Sequence, residues 1–362
     1  MQLRIPGPTP CPDEILKAIG RQMINHRGKE FAEMTNRIVP RLKQCFQTRN
    51  EILILTTSGT GGLESAIVNM LSPGDKVLGV SIGFFGERFA ECAGVYGAEV
   101  IPLKYDWGKA VDPEDVRKAL KNTPGVKAVL VTHNETSTGT TNPLKEIAKV
   151  VKEFDKLILV DAVSSLSSID LPVDAWDLDV VVTGSQKGWM VPPGLAFVSV
   201  SEKAWKAHAE AKMPRFYFDY SRARKFAADG QTPWTPAVSV FFGLDVALDV
   251  MLKEGLQNIF ARHTRVADKA RKWAKAKGLR LVPEEKFASN TVTAINAPAD
   301  MDVPKFLSTL RTEYKVEIAG GQGAMKGKIF RIGHLGWVSE KEIQAVISAL
   351  KVTLPQAGFK KG

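Results

Sequence analysis

Cysteine is scarce in this chain: Cys11, Cys45 and Cys92 are the only three in 362 residues. They lie too far apart for a CxxC metal knuckle, and so small and odd a number builds no disulfide framework, which points to a reducing cytoplasm. The same scarcity excludes iron–sulfur and nickel-type redox centres, which need clustered thiolates. The five histidines, His26, His133, His208, His263 and His334, are equally scattered and show no HExxH spacing, so no metal is expected. Long apolar runs are missing too. Stretches such as 157–160 fall far short of the roughly 18 residues a membrane span requires. The opening MQLRIPGPTPCPDEI, broken by Pro6, Pro8, Pro10 and Pro12, holds no apolar stretch that would direct export.

What is present suits a globular chain. With 44% hydrophobic and 24% charged residues, disorder is excluded, and at roughly 150 residues per domain the length predicts two domains, or one large and one small. The net charge is +10. Much of that excess sits in 262–277, where Leu256, Ile259, Phe260, Val266, Ala270 and Trp273 keep helical spacing and leave the bases on the opposite, solvated face. No basic stripe is interleaved with aromatics, so nucleic acid is not an expected partner.

From about 51 to 200 the chain alternates β-branched runs with amphipathic segments. The candidate strands are EILILTT, KVLGVSI, AEVIPL, VKAVLVTH, LILVDAV, DVVVTG and LAFVSV, with helices across 63–71, 112–120 and 144–154. That alternation predicts a mostly parallel seven-stranded sheet between helices, and strands covered on both faces explain why the runs are apolar almost throughout. The aromatic stretch 215–242 breaks the rhythm and is expected to be an excursion or interface loop. A helical block to about 278 and a smaller α/β unit follow: strand NTVTAI, a helix capped near Asp302, strands KVEIAGG and IFRIG, and a last helix opened by Ser339 and Glu342 at capping-box spacing. The expected division is an N-terminal extended segment 1–20, a large α/β domain 21–255 and a small C-terminal α/β domain 256–362.

Ligands of such sheets bind beyond the carboxyl ends of the strands, so residues that follow apolar runs carry the interest. In TTSGTGGLES a strand gives way to Ser58-Gly59-Thr60-Gly61-Gly62 and a helix, whose free amides and dipole attract an anion such as phosphate; a plain tight turn explains it as well. In LILVDAVSS, Asp161 ends an apolar run, and a buried carboxylate there needs a cation unless it merely caps the next turn. In VVVTGSQKGW, Lys187 follows the next strand among glycines and apolar residues. It is either a surface lysine or a desolvated amine suited to Schiff-base chemistry. In VLVTHNETSTG the hydroxyls of 136–138 form a turn or a set of donors. Together these supply what pyridoxal phosphate needs: amides for its phosphate, an acid for its ring nitrogen and a lysine for its aldehyde. Phe84 or Phe85 of SIGFFGERF can cover a flat ring, or can simply fill core.

The run of motifs IPGPTP, NHRGKEF, TSGTGGLES, GFFGER, THNETSTG, VDAVSS, GSQKGW and FRIGHLG resembles the class V, fold-type I pyridoxal-phosphate aminotransferases, within them the alanine–glyoxylate/serine–pyruvate family, over nearly the whole chain. The resemblance implies that Lys187 forms an aldimine with the cofactor and carries the proton. It implies that Asp161 pairs with the ring nitrogen, that Thr60, Gly61 and Gly62 hold the phosphate, that Phe85 lies on the ring, and that Thr136 and Gln186 assist. Arg331 would grip the substrate carboxylate, and the segment near Gly7 would border the substrate. Thr235 would be contributed across a homodimer with shared active sites. Two positions depart from the family pattern: Phe85 stands where Trp is common, and Gly62 where some relatives place histidine. The expected reaction is ping-pong transfer of an amino group from L-alanine or L-serine to glyoxylate or pyruvate.

Other chemistries suit the sequence less. A cysteine desulfurase needs a nucleophilic cysteine after the lysine, and all three precede Lys187. A nicotinamide oxidoreductase should show GxGxxG at the first strand–helix turn, where the third glycine position is Glu64. Phosphonate-directed or ureidoglycine-directed transamination lies closer. A non-catalytic scaffold would not need lysine, aspartate and arginine in this order.

Overall fold

The computed structural model describes residues 1–359. A two-residue strand β1 (Gln2–Leu3) opens the chain, followed by helices α1 (Asp13–Ile19) and α2 (Lys29–Phe46). The segment expected to be extended is therefore helical in its last third. Ile15 is fully buried, and Ile15 and Ile19 lie against Gly243, where a methyl group would stand 2.8 Å from Ile19 Cγ1. Packing of these two isoleucines fixes a helix that the prolines before it had concealed.

The central sheet uses β2 (Glu51–Leu55), β3 (Lys76–Ser81), β4 (Glu99–Lys104), β5 (Val126–Thr132), β8 (Leu157–Asp161), β9 (Val180–Gly184) and β10 (Ala196–Val200). A short hairpin of β6 (Asn134–Glu135) and β7 (Thr140–Thr141) follows β5. Strand order is β2-β10-β9-β8-β5-β3-β4, and only β10 runs against its neighbours. This is the seven-stranded, mostly parallel sheet that the alternation predicts. Helices α3 (Gly59–Met70), α4 (Phe84–Val95), α5 (Pro113–Asn122) and α6 (Leu144–Glu153) make the crossovers. Every residue of β8, β9 and β10 is buried, because two separate hydrophobic clusters cover the two faces. Each valine, leucine or isoleucine so enclosed contributes roughly 1.5–3 kcal/mol.

After α7 (Glu202–Glu210), the aromatic stretch is not loop throughout. It contains α8 (Tyr220–Ala227), capped by Asp219, and runs into α9 (Val238–Glu254) and α10 (Leu256–Ala276). Tyr220 is fully buried and meets the Ser65 hydroxyl at 2.9 Å, a tertiary anchor that local periodicity does not reveal.

A third cluster, from Val266 to Leu354, surrounds a three-stranded sheet in the order β11 (Val292–Asn296), β14 (Ile329–Gly333), β13 (Ala319–Gly320). Helices α11 (Val303–Thr312) and α12 (Glu340–Gln356) pack with it. The expected strand KVEIAGG is two: β12 (Val316–Glu317) pairs in parallel with β1, and β13 turns to pair with β14. The break occurs because one segment serves two sheets. The capping box of Ser339 and Glu342 is present.

Candidate active site

The parallel strands deliver chemistry at their carboxyl ends. Asp161 closes β8, opposite Thr132 at the end of β5 and Val182 in β9. Lys187 follows β9 by three residues, Ser58 follows β2 by three, and Phe85 stands at the start of α4 just after β3. A cavity of about 220 Å³ gathers Thr60, Phe85, Thr136, Asp161, Gln186 and Lys187 with Gly59, Arg88 and Ser164.

Lys187 Nζ donates to Pro6 O at 2.6 Å. Burial pushes its pKa down to about 8. Asp161 opposes that shift, and Arg331 and Arg88 reinforce it. The Asp161 carboxyl is raised, chiefly by burial, against the Val163 amide, Arg88 and Lys187. Its Oδ1 accepts from Val163 N at 2.9 Å, whereas Oδ2 has only the Thr132 hydroxyl at 3.5 Å. Gln186 Oε1 is buried without a partner. These are groups with capacity to spare for a ligand.

Gly7 touches the lysine. A Cβ there would lie 2.6 Å from Lys187 Nζ, and its φ of +127° belongs to glycine. Thr9 ties the same segment down, N–H to Gln186 O at 3.1 Å and hydroxyl to Lys187 O at 3.0 Å.

The anion end of the cavity differs from expectation. The Ser58 hydroxyl caps α3 by accepting from Gly61 N at 3.4 Å, and Gly62 N donates to Ser58 O at 3.0 Å. The amides of Gly61 and Gly62 are thus engaged, and those of Gly59 and Thr60 head the helix toward the cavity. Gly62 packs on the sheet: a Cβ would sit 2.7 Å from Val182 Cγ1. Its smallness serves close helix–strand contact.

The Thr136 hydroxyl donates to Ser164 Oγ at 2.8 Å, and Asn134 Nδ2 donates to the same oxygen at 2.8 Å. Arg331, in the middle strand β14, is 4% exposed and reaches this loop, with Nη1 donating to Thr136 O at 3.0 Å. Burial lowers its pKa to about 10, partly offset by Glu135. Thr235 is exposed and does not line this cavity.

Three contributors were absent from the sequence reading. Arg88 lines the cavity with its Cζ 4.6 Å from the Phe85 ring centre, and its Nε has no partner. Its signal was the i+3 spacing from Phe85 on one helix face. Glu135, fully buried, accepts from the amides of Phe85 and Gly86 at 3.1 Å, capping α4 in place of Gly83, which has no side chain to do so. Ser164, three residues past Asp161, had no distinguishing signal.

A family model described as aminotransferase class-V matches residues 6–339. The chain is 45% identical to the soluble hydrogenase small subunit of Synechococcus sp. (strain PCC 6716), over 99% of this chain and 94% of that one. It is 35% identical to serine–glyoxylate aminotransferase of Methylorubrum extorquens, over 99% and 92%. The solved pyridoxamine–pyruvate aminotransferase of Mesorhizobium loti matches with a TM-score of 0.95 at 30% identity, covering 99% of this chain and 93% of that one.

Proposed function

The chain belongs to the class V aminotransferases, and from that premise we propose that this transaminase uses pyridoxal 5'-phosphate to move an amino group from L-alanine or L-serine to glyoxylate or pyruvate by a ping-pong cycle. The observation that carries the reading is the pair Lys187 and Asp161 on one cavity, the amine with its pKa lowered and the acid with one oxygen nearly free.

The residues fit the cofactor. The head of α3 offers the Gly59 and Thr60 amides and the Thr60 hydroxyl to a phosphate. Asp161 Oδ2 suits a protonated ring nitrogen, Phe85 suits a ring face, and Thr136 and Gln186 suit ring substituents. When bound, pyridoxal phosphate supplies an aldehyde that condenses with amines and a cationic ring that withdraws electrons from the amino acid Cα. Lys187, whose pKa burial lowers to about 8, would hold that aldehyde and would move a proton to and from the substrate Cα. Asp161 would pair with the ring nitrogen at the opposite end of the site. Arg331 holds the α-carboxylate, so that the Cα–H bond is oriented toward Lys187. Gly7 and Pro6 bound the substrate side of the lysine.

The active form is proposed to be a cytoplasmic homodimer in which exposed Thr235 completes the partner's site. The division at 255 is part of the same reading, and the separate cluster from Val266 to Leu354 supports it, whereas α1 packs with the large domain's core.

Substituting Lys187→Ala tests the proposal. It is expected to abolish turnover and the borohydride-reducible visible chromophore, and retention of both refutes the assignment. A panel of amino donors against glyoxylate and pyruvate then identifies the substrates.

A further inference from the structure

Arg331 is more fully engaged than a residue waiting for a substrate should be. Nε donates to Gly320 O at 2.8 Å, and Nη1 donates to Thr136 O at 3.0 Å and to Gln322 Oε1 at 3.1 Å. A guanidinium has five N–H donors, so only the two on Nη2 remain. A carboxylate held by two parallel bonds needs either Nε with Nη2 or Nη1 with Nη2. The first route is closed by Gly320 O, a main-chain acceptor fixed in β13. On the second, one of the two acceptors on Nη1 must leave. Thr136 O belongs to a buried turn after β6. Gln322 is a half-buried side chain in a segment with glycines at 320, 321, 323 and 327, and Gly323 and Gly327 have φ of +49° and +75°. Its amide oxygen is the acceptor free to go.

We propose that Gln322 is an internal stand-in for the substrate carboxylate: its amide oxygen occupies the Arg331 fork until an incoming α-carboxylate displaces it, so residue 322 sets how tightly amino and 2-oxo acids bind. The chemistry of the exchange favours substrate. A carboxylate makes charge-assisted bonds roughly twice as strong as those of a neutral amide, and it gains the Nη2 hydrogens that Gln322 does not use. A neutral amide satisfies a buried cation without locking it, which a glutamate in its place would do. The segment that moves lies at the aromatic wall, where Gly323 faces Trp107 and Phe84 closely enough that a Cβ would stand 2.9 Å from the Trp107 ring.

This inference rests on Arg331 being the carboxylate-binding residue, and the test separates the two. L-lactate, a 2-hydroxy acid with no amine to react, is titrated calorimetrically into the holoprotein, and KM and kcat for alanine are measured alongside. Gln322→Glu is expected to raise the lactate Kd and the KM on the order of tenfold or more at pH 8, with kcat at saturation within about twofold, because the new carboxylate competes as a charged partner. Gln322→Ala is expected to lower both about two- to fivefold, the worth of one neutral hydrogen bond. A Gln322→Glu protein that binds lactate like the parent, or a Gln322→Ala protein that binds it more weakly, overturns the stand-in. Arg331→Met is the control. If it leaves lactate binding unchanged, the role of Arg331 itself fails; if it abolishes binding while both Gln322 variants match the parent, the stand-in alone fails.

Discussion

Replacing His133 by phenylalanine should make the protein less sensitive to acid by a calculable amount. His133, His263 and His334 are buried with pKa values pushed down to about 4, about 3 and about 3, burial being the first cause of each and nearby arginines adding to the last two. A histidine whose folded pKa lies below its unfolded 6.5 contributes no penalty above that pH. It destabilises progressively as the pH falls toward the folded value, because the unfolded chain takes up the proton and the folded one does not. At pH 5 the difference for His133 is about 1.5 pH units, or about 2 kcal/mol. The same arithmetic for all three gives about 6 kcal/mol, comparable to the whole stability of a typical domain. Asp161 and Glu135 act in the opposite sense, since burial raises their carboxyls, but they are common to parent and variant and cancel in the difference. His133 is the cleanest site. Its Nδ1 has no partner, and its ring meets Trp176 edge to face at 6.0 Å, an arrangement phenylalanine preserves. Urea unfolding at pH 7.5 and pH 5.0 should show the stability gap between variant and parent shifting by about 2 kcal/mol in the variant's favour. A gap constant to within about 0.5 kcal/mol would refute the reasoning, since that is the additivity error expected of such measurements.

Two glycine substitutions separate packing from chemistry. Gly62→Ala places a methyl 2.7 Å from Val182 Cγ1 and 3.0 Å from Ala196 Cβ. It should lower stability by about 1–3 kcal/mol in urea, with phosphate or cofactor affinity of the folded protein nearly unchanged; a selective loss of affinity would restore Gly62 to the anion site. Gly7→Ala should affect both, because its Cβ falls on Lys187 Nζ and its φ is +127°. Steady-state kinetics should show kcat reduced on the order of tenfold or more, beside a stability loss of about 1–3 kcal/mol from the strained backbone, and normal kcat would mean that the segment yields without disturbing the lysine.

The sheet was legible because β8, β9 and β10 are covered on both faces, so their apolar runs carry one message from residue to residue. Ser339 and Glu342 were legible for a similar reason, since a capping box is completed within four residues. Asp161 and Lys187 could be picked out because a charge directly after an apolar run is costly anywhere but a strand end. What escaped depends on distant partners. Tyr220 anchors α8 through Ser65, 155 positions away. Val316–Glu317 leaves its expected strand to pair with Gln2–Leu3. That Ser58 caps α3 through the Gly61 amide depends on a turn geometry the sequence does not print. Arg88 and Gln322 gain meaning only from the residues brought beside them.

The pairing of Gln2 with Val316 has a consequence for how the molecule is made. β1 can close against β12 only across a loop of about 310 residues, and hence as a late step. The Pro6 carbonyl that receives Lys187 and the Gly333 amide that donates to Arg4 O belong to the same closure. The central sheet can therefore form before the segment at 4–6 is seated beside Lys187, and the site is completed only when β1 has closed against β12.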